Sequence, residues 1–190
     1  MIVVKLGGSL YHSDEIKPWL SALADYSKIQ PIIIVPGGGP FADQVRHAQE
    51  TYQFDDETAH HMAIIAMKQF GLLLTALLKS MTYSTLSLSI WLPDDALLDT
   101  PLLTKNWATS SDSIALWLAQ QQQAEHLVLI KRSKIQSHSR SICELTFNTI
   151  IDTGFAPLFK TQPIKTKIVH YQDYDHFADL VQQSHNLVLP

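Results

Sequence analysis

Residues 2–10 read Ile-Val-Val-Lys-Leu-Gly-Gly-Ser-Leu, and this stretch decides how the chain folds. The apolar, β-branched run at its start predicts a short buried strand. Gly7 and Gly8 predict a sharp turn after the strand, because glycine reaches the backbone angles of such a turn without steric cost. Bare backbone N–H groups at a turn can hold a phosphate, and Lys5 can add positive charge to the same anion. The alternative is a plain tight turn with Lys5 in solvent.

The same pattern occurs again within the first fifty residues. A predicted amphipathic helix over Ile16–Tyr26 leads to a second apolar run, Pro31–Val35, which meets Gly37, Gly38 and Gly39 before a helix over 41–47. Alternation of strand, glycine turn and helix indicates an α/β fold with a parallel sheet. Both turns should lie at the carboxyl edge of that sheet and face a common ligand site. Three glycines exceed the needs of a turn, which favours a ligand lying against bare backbone.

The remaining chain continues the α/β pattern as a single domain spanning residues 1–190. No repeat, linker or low-complexity tract divides it. The apolar periodicity predicts the following elements: a long helix over 55–81, a strand over 86–92, a helix over 114–122, a strand over 126–130, a turn and short helix over 147–155, a strand over 167–170, a helix over 173–183 and an edge strand over 187–189.

Composition limits the range of partners and locations. The chain has 190 residues, a net charge of -4, 46% hydrophobic and 17% charged residues, which describes an ordinary soluble domain and argues against nucleic-acid binding. Lys68 and Gln69 interrupt the most apolar segment, residues 62–78, so we expect a buried helix there and no membrane span. Cys143 is the single cysteine, which excludes an intramolecular disulfide and makes a cytoplasmic location the expected one.

Several polar residues are open to two interpretations. Arg46 follows the second glycine turn and either contacts an anion in a bidentate manner or is a solvated helix charge. His60 and His61 are adjacent on a helix and point about 100° apart, so they are a poor metal pair and no metal ligands are predicted. Ser111 or Asp112 suits the N-cap of the next helix, although a carboxylate there could instead orient lysine side chains near a phosphate.

Three stretches taken together resemble the amino acid kinase family. They are Val3–Leu10, Pro36–Arg46 and Trp107–Ser113, and weaker similarity runs through His60–Met67 and Asp152–Val181. The likeness is greatest to the small branch of the family that phosphorylates an aminomethylfuran phosphate in methanofuran biosynthesis. The resemblance implies a three-layer αβα sandwich around a mostly parallel sheet, with ATP and Mg²⁺ as cofactors and a small phosphorylated molecule as acceptor.

The resemblance also implies a role for individual residues. Phosphoryl transfer needs mainly alignment and positive charge, which lysines, glycine backbone and Mg²⁺ supply. The implied catalytic residues are Lys5, Asp112 and Lys160; the implied nucleotide contacts are Gly7, Gly8 and Ser9; the implied acceptor contacts are Gly37, Gly38, Gly39, Arg46 and His60.

The chain departs from the family pattern on the nucleotide side. After the fourth strand, relatives carry acidic residues and a glycine, whereas this chain has the basic residues Lys131, Arg132 and Lys134. If Lys131, Arg132 and Lys134 lie beside the site, they add positive charge where nucleotide phosphates lie, which makes Lys131 a further predicted nucleotide contact. His170 and Tyr171 stand where relatives have Asn-Gly.

The sequence thus supports an ATP-dependent kinase that phosphorylates a small phosphorylated acceptor. The alternatives are a kinase for another small acid or nucleotide, and a catalytically silent relative that binds a phosphorylated metabolite or a partner protein. The helix over 55–81 has more apolar surface than one core can cover, so a homodimer that pairs through this helix is expected.

Overall fold

The computed structural model describes residues 1–81, 87–133, 140–183 and 188–189. Helices connect most of the strands along these residues, with short 3₁₀ turns at Gly8–His12, Asp95–Asp99 and Tyr174–His176. The strands are β1 (Ile2–Leu6), β2 (Ile32–Pro36), β3 (Leu88–Ile90), β4 (His126–Lys131), β5 (Arg140–Ser141), β6 (Lys165–His170) and β7 (Val188–Leu189). The helices are α1 (Ile16–Tyr26), α2 (Gly39–Tyr52), α3 (Asp56–Ser80), α4 (Ser111–Gln121), α5 (Ile142–Phe147), α6 (Phe155–Thr161) and α7 (Phe177–Gln182).

The central sheet has five strands in the order β3-β2-β1-β4-β6, and every neighbouring pair is parallel. The chain builds outward from β1 to β2 and β3, then crosses back to place β4 on the other side of β1. The strand order therefore reverses between β1 and β4, and parallel sheets bind their ligands at the carboxyl ends of the strands at such a point. The predicted parallel sheet is confirmed.

Helices cover both faces of the sheet, as the predicted αβα sandwich requires. Side chains alternate along β1, so that Val3 packs with α4, α5 and α6 whereas Ile2 and Val4 pack with α1 and α7. Trp19 and Phe177, both fully buried, join α1 to α7 on the second face. The two apolar clusters fix the height of the helices over the sheet, and with it the position of their N-termini.

Several element boundaries differ from the sequence predictions. α2 runs on to Tyr52, well beyond the predicted end at residue 47. The helix ends there because Gln53 has a left-handed backbone conformation. The helix predicted over 147–155 is absent from that range: α5 ends at Phe147 and α6 begins at Phe155, with a turn between them. β7 does not extend the main sheet but pairs with β5 in a separate two-stranded sheet. Predicted strand residues 86 and 187 lie outside the described residues.

α3 is the longest helix and begins where the sequence predicts. The Asp55 carboxylate accepts a hydrogen bond from the Thr58 N–H at 2.7 Å and caps the helix. Among the described residues, α3 alone is long and apolar enough by composition to cross a membrane. It carries core residues of both clusters, including Ile64 and Phe70. Its outward face exposes 52% of Leu72.

Candidate active site

The two glycine turns touch each other through bare backbone. A Cβ on Gly8 would lie 2.4 Å from the Gly39 nitrogen, and a Cβ on Gly37 would lie 2.3 Å from the Gly8 nitrogen. The Gly37 N–H also donates to the Leu6 carbonyl at 2.8 Å. The close contact with the first turn therefore explains why part of the second turn must be glycine. The expectation that both turns face one site is confirmed.

A buried carboxylate joins two lysines at the point where the strand order reverses. The Lys5 Nζ lies 2.8 Å from Asp112 Oδ1, and the Lys131 Nζ contacts Asp112 Oδ2. Lys5 pairs with Leu129 in the β1–β4 register, so Lys131, two residues further on, points to the same face. α4 begins over that face and supplies Asp112. Lys5 is buried, which excludes the alternative of a solvent-facing side chain.

The electrostatics of this cluster favour a charged carboxylate. Burial opposes ionisation of Asp112, but Lys131 and Lys5 outweigh it and lower the pKa to about 2. Burial lowers the pKa of Lys5 and Asp112 counteracts this, while Lys131 adds to the lowering. Two cations held by one anion leave a net positive charge beside the glycine turns, which is what a transferring phosphoryl group requires.

The start of α4 is held by a residue that the sequence reasoning missed. Ser110, and not Ser111 or Asp112, is the N-cap: its hydroxyl accepts from the Asp112 N–H at 3.3 Å. Asp152, from the segment before α6, accepts from the Ser110 N–H at 2.9 Å and the Ser113 N–H at 3.1 Å, and from both hydroxyls. This frees Asp112 for the lysines. No local pattern marks Asp152, because its partners lie about forty residues away in sequence.

A cavity of about 270 Å³ opens beside the glycine turns. Predicted site residues Gly8, Ser9, Gly38 and Gly39 line it with backbone or small side chains. The other two predicted glycines serve the packing: a Cβ on Gly7 would lie 3.0 Å from the Ile130 carbonyl oxygen. Drug-sized ligands occupy roughly 300–1,000 Å³, so this cavity suits a small acceptor.

The predicted acceptor residues Arg46 and His60 line this cavity. The Arg46 guanidinium carbon lies 3.7 Å from the centroid of the Trp107 ring, and Trp107 Nε1 donates to Gln49 Oε1 at 2.6 Å. Burial lowers the pKa of His60, while a backbone hydrogen bond at Asn106 counteracts it. The imidazole is therefore neutral at pH 7, which leaves Arg46 as the one permanently charged cation among the described residues that line the cavity.

Lys160 does not join the lysine–aspartate cluster. α6 runs alongside α4 in the same direction: the Gly154 N–H donates to Ala108 near the start of α4, and Gln120 near its end donates to the Gln162 carbonyl. Asp112 and Gln120 are eight residues apart, about 12 Å along a helix. Lys160 is exposed near that far end, so Lys131 occupies the second lysine position on Asp112.

Residues that depart from the family pattern meet beside the first glycine turn. The Arg132 guanidinium lies 5.2 Å from the Tyr171 ring centroid and reaches the Ser9 carbonyl at 3.5 Å. The Tyr171 N–H donates to the Lys131 carbonyl. Lys131 and Arg132 thus lie beside the site, as the sequence reasoning supposed, whereas Lys134 lies outside the described residues.

Comparison with known proteins defines the class. Residues 1–94 match the model of the amino acid kinase family. The fold and the near-full-length similarity described next agree with this match over the first part of the chain.

A [5-(aminomethyl)furan-3-yl]methyl phosphate kinase from Methanocaldococcus jannaschii is 26% identical over 211 aligned residues, which cover 98% of this chain and 95% of the relative. The uridylate kinase from Archaeoglobus fulgidus superimposes with a TM-score of 0.73 at 15% identity over 99% of both chains. The UMP kinase from Ureaplasma parvum gives a TM-score of 0.70 at 16% identity, covering 98% of this chain and 97% of that one. These comparisons confirm the predicted family and fold and support a phosphotransferase.

Proposed function

We propose that the protein is an ATP-dependent kinase that transfers the γ-phosphoryl group to the phosphate of a small acceptor. The observation that carries this proposal is the buried Asp112 carboxylate bridging Lys5 and Lys131 beside two touching glycine turns. The acceptor to test first is [5-(aminomethyl)furan-3-yl]methyl phosphate, which the name of the archaeal relative supplies.

The proposed reaction joins two phosphates. An oxygen of the acceptor phosphate attacks the γ-phosphorus, a new P–O bond forms, and the bond from that phosphorus to the β,γ-bridging oxygen breaks. ADP leaves with the bonding electron pair, and the acceptor becomes a diphosphate. A phosphate dianion has no proton to lose, so the chain needs to supply alignment and positive charge but no general base.

The side chains have separate roles in this proposal. Lys5 and Lys131 neutralise charge that develops on the transferring group, and Asp112 positions both ammonium groups. The Gly8 and Ser9 turn holds the nucleotide phosphates, and the second turn with Arg46 holds the acceptor phosphate.

The described residues offer donors for the nucleotide phosphates but no built metal site. No cluster of three or more acidic, histidine or cysteine side chains that could hold a metal occurs in residues 1–81, 87–133, 140–183 and 188–189. Mg²⁺ is usually bound largely through substrate phosphates, and it would supply further charge neutralisation there. The glycine turns fit this arrangement because Gly8, Gly38 and Gly39 line the cavity without side chains that would keep a phosphate away.

Turnover of lysine variants tests the assignment. Lys5→Ala and Lys131→Ala should each lower kcat by at least about a hundredfold, since removing one preorganised charge contact costs about that much. Lys160→Ala tests whether Lys160, the second catalytic lysine that the resemblance implied, is needed in place of Lys131. Lys165→Ala, at the opposite edge of the sheet, is the control for the loss of a lysine. A large loss in Lys160→Ala with full turnover in Lys131→Ala would reverse the two assignments.

Calorimetry with Mg·ATP and Mg·GTP at low and high salt tests nucleotide binding. We expect binding of both with little discrimination, because the contacts are to phosphates, and affinity that falls as salt rises. No heat with either nucleotide together with clear binding of the acceptor would refute the kinase and leave a metabolite-binding protein.

We also propose that the protein is a homodimer that pairs through α3. Ile65 and Leu72 lie seven residues apart on one face of α3 and are 43% and 52% exposed. An Ile65→Glu, Leu72→Glu double variant should be a monomer by light scattering at micromolar concentration, whereas Phe147→Glu, which charges an exposed aromatic on α5, should not change the mass. A monomeric wild-type protein would contradict this proposal.

The cytoplasmic location stays a prediction.

A further inference from the structure

α2 presents two side chains of opposite charge to the cavity. Asp43 and Arg46 both line it, and residues three apart on a helix share one face. Opposite charges at this spacing commonly pair with each other. Within the described ranges, none of the ion pairs includes Asp43 or Arg46. Both charges are therefore available to a ligand.

Arg46 is held away from Asp43 by stacking. Its guanidinium lies over the Trp107 ring at 3.7 Å, and the hydrogen bond from Trp107 to Gln49 fixes the ring. A stacked guanidinium keeps its N–H edge free for two parallel hydrogen bonds to a phosphate. The platform thus prepares Arg46 for an anion and leaves the Asp43 carboxylate without an ion pair to Arg46.

The rest of the described lining carries no formal charge apart from what its histidines can gain. Ala63, Ile64, Met67 and Ile114 form an apolar wall, and glycine backbone and hydroxyls complete the lining. Burial lowers the pKa of His60, so that this side chain is neutral at pH 7. Asp43 is the only carboxylate among the residues that line this cavity in the described part of the chain.

We propose that Asp43 selects an acceptor that carries a cationic amine in addition to its phosphate, with Arg46 holding the phosphate and Asp43 the amine. This inference rests on the proposed kinase function and assigns the residue that recognises the amine of the acceptor proposed above. The apolar wall contacts that spacer. An acceptor without the amine leaves the Asp43 carboxylate facing uncharged ligand surface and binds more weakly.

Paired acceptors test the inference without any nucleotide. The amine probe is [5-(aminomethyl)furan-3-yl]methyl phosphate, and its partner probe has a hydroxyl in place of the amine. Calorimetry should show that the wild-type protein binds the amine probe on the order of tenfold more tightly, because a charged hydrogen bond contributes about that factor. Asp43→Asn should remove this preference by weakening the amine probe alone. Arg46→Gln should weaken both probes, because both carry the phosphate.

A matched control removes the same charge from the same helix. Glu50 is exposed on α2 but does not line the cavity, so Glu50→Gln should keep the tenfold preference. The Asp43→Lys variant is a second test, because it reverses the charge at this position. This variant should bind a carboxymethyl probe more tightly than the amine probe. Circular dichroism confirms that each variant is folded, which is expected because Asp43 is exposed.

The outcomes separate this inference from the kinase proposal. Equal binding of the two probes by the wild-type protein would overturn the inference, and so would an equal loss of preference in Glu50→Gln and Asp43→Asn. Failure of the wild-type protein to bind either probe would also overturn it. A preference that depends on Asp43, in a protein that neither binds nor hydrolyses ATP, would uphold the amine site and refute the kinase.

Discussion

Replacing Asp112 by asparagine should destabilise the protein by an amount that depends on pH. The pKa of this carboxyl falls from the ordinary 3.8 to about 2, and the side chain is 4% exposed. At about 1.4 kcal/mol for each pKa unit, the ionised form contributes roughly 2.5 kcal/mol to folding at neutral pH. Asparagine forfeits this contribution and leaves two lysine ammonium groups without their anion, so the loss should be at least that large.

The sign of the pH dependence follows from the direction of the shift. A carboxyl with a depressed pKa in the folded state contributes its full stability above 3.8 and loses it as pH falls through about 2. About half of the contribution remains at about pH 3. The difference in unfolding free energy between wild type and Asp112→Asn should therefore shrink by roughly 1 kcal/mol between about pH 6 and about pH 3.

Urea unfolding followed by circular dichroism at several pH values measures this difference. Glu57→Gln is the control, because it breaks the exposed Lys105–Glu57 ion pair, which solvent screens and whose loss should change stability little. A difference for Asp112→Asn that stays constant from about pH 6 to about pH 3, or that is no larger than for Glu57→Gln, would refute the reasoning. Loss of turnover with unchanged stability would show that the carboxylate positions the lysines without stabilising the fold.

Three further predictions concern the surroundings of the site. Gly8→Ala should lower the melting temperature more than Gly71→Ala, since the Cβ would meet the backbone of Gly39 at 2.4 Å in the first case and the flexible end of a leucine in the second; equal melting temperatures would contradict this. Asp152→Asn should lower both the melting temperature and kcat, because it loosens the start of α4; thermal denaturation and steady-state turnover check it, and an unchanged kcat would refute the link to the site. The wild-type protein should lose stability as pH falls below about 6.5, since burial lowers the pKa of His60 and the unfolded chain takes up the proton first; urea unfolding of His60→Asn should show a shallower dependence, and parallel curves would contradict the assignment.

The sequence predicted the parallel sheet well because its signals are local. The β-branched run before Gly7 and the one before Gly37 each mark a strand and its end without reference to distant residues. Both ends of α3 could also be predicted from the sequence, since the Asp55 cap and the apolar pattern lie in one continuous segment. These features require only the geometry of single elements.

The partners of Asp112 could not be predicted by the same means. Lys131 shares a face with Lys5 only because β4 pairs with β1 in one particular register, and no residue pattern in either strand specifies the neighbour. The resemblance pointed to Lys160, which the packing of α6 along α4 carries to the far end of that helix. Asp152 was missed for a related reason, because its hydrogen bonds join segments that only the complete fold brings together.

Because Gly8 contacts the glycines of the second turn, the geometry of phosphoryl transfer does not depend on the side chains that select the acceptor. In the proposed reaction the two turns hold the two phosphates that must meet, and their spacing is set by backbone atoms in contact. Mutations in the cavity wall on α2 and α3 can therefore change which acceptor binds without changing the distance over which the phosphoryl group travels. A chain built in this way can acquire a new acceptor through a few side-chain substitutions while its transfer geometry stays intact.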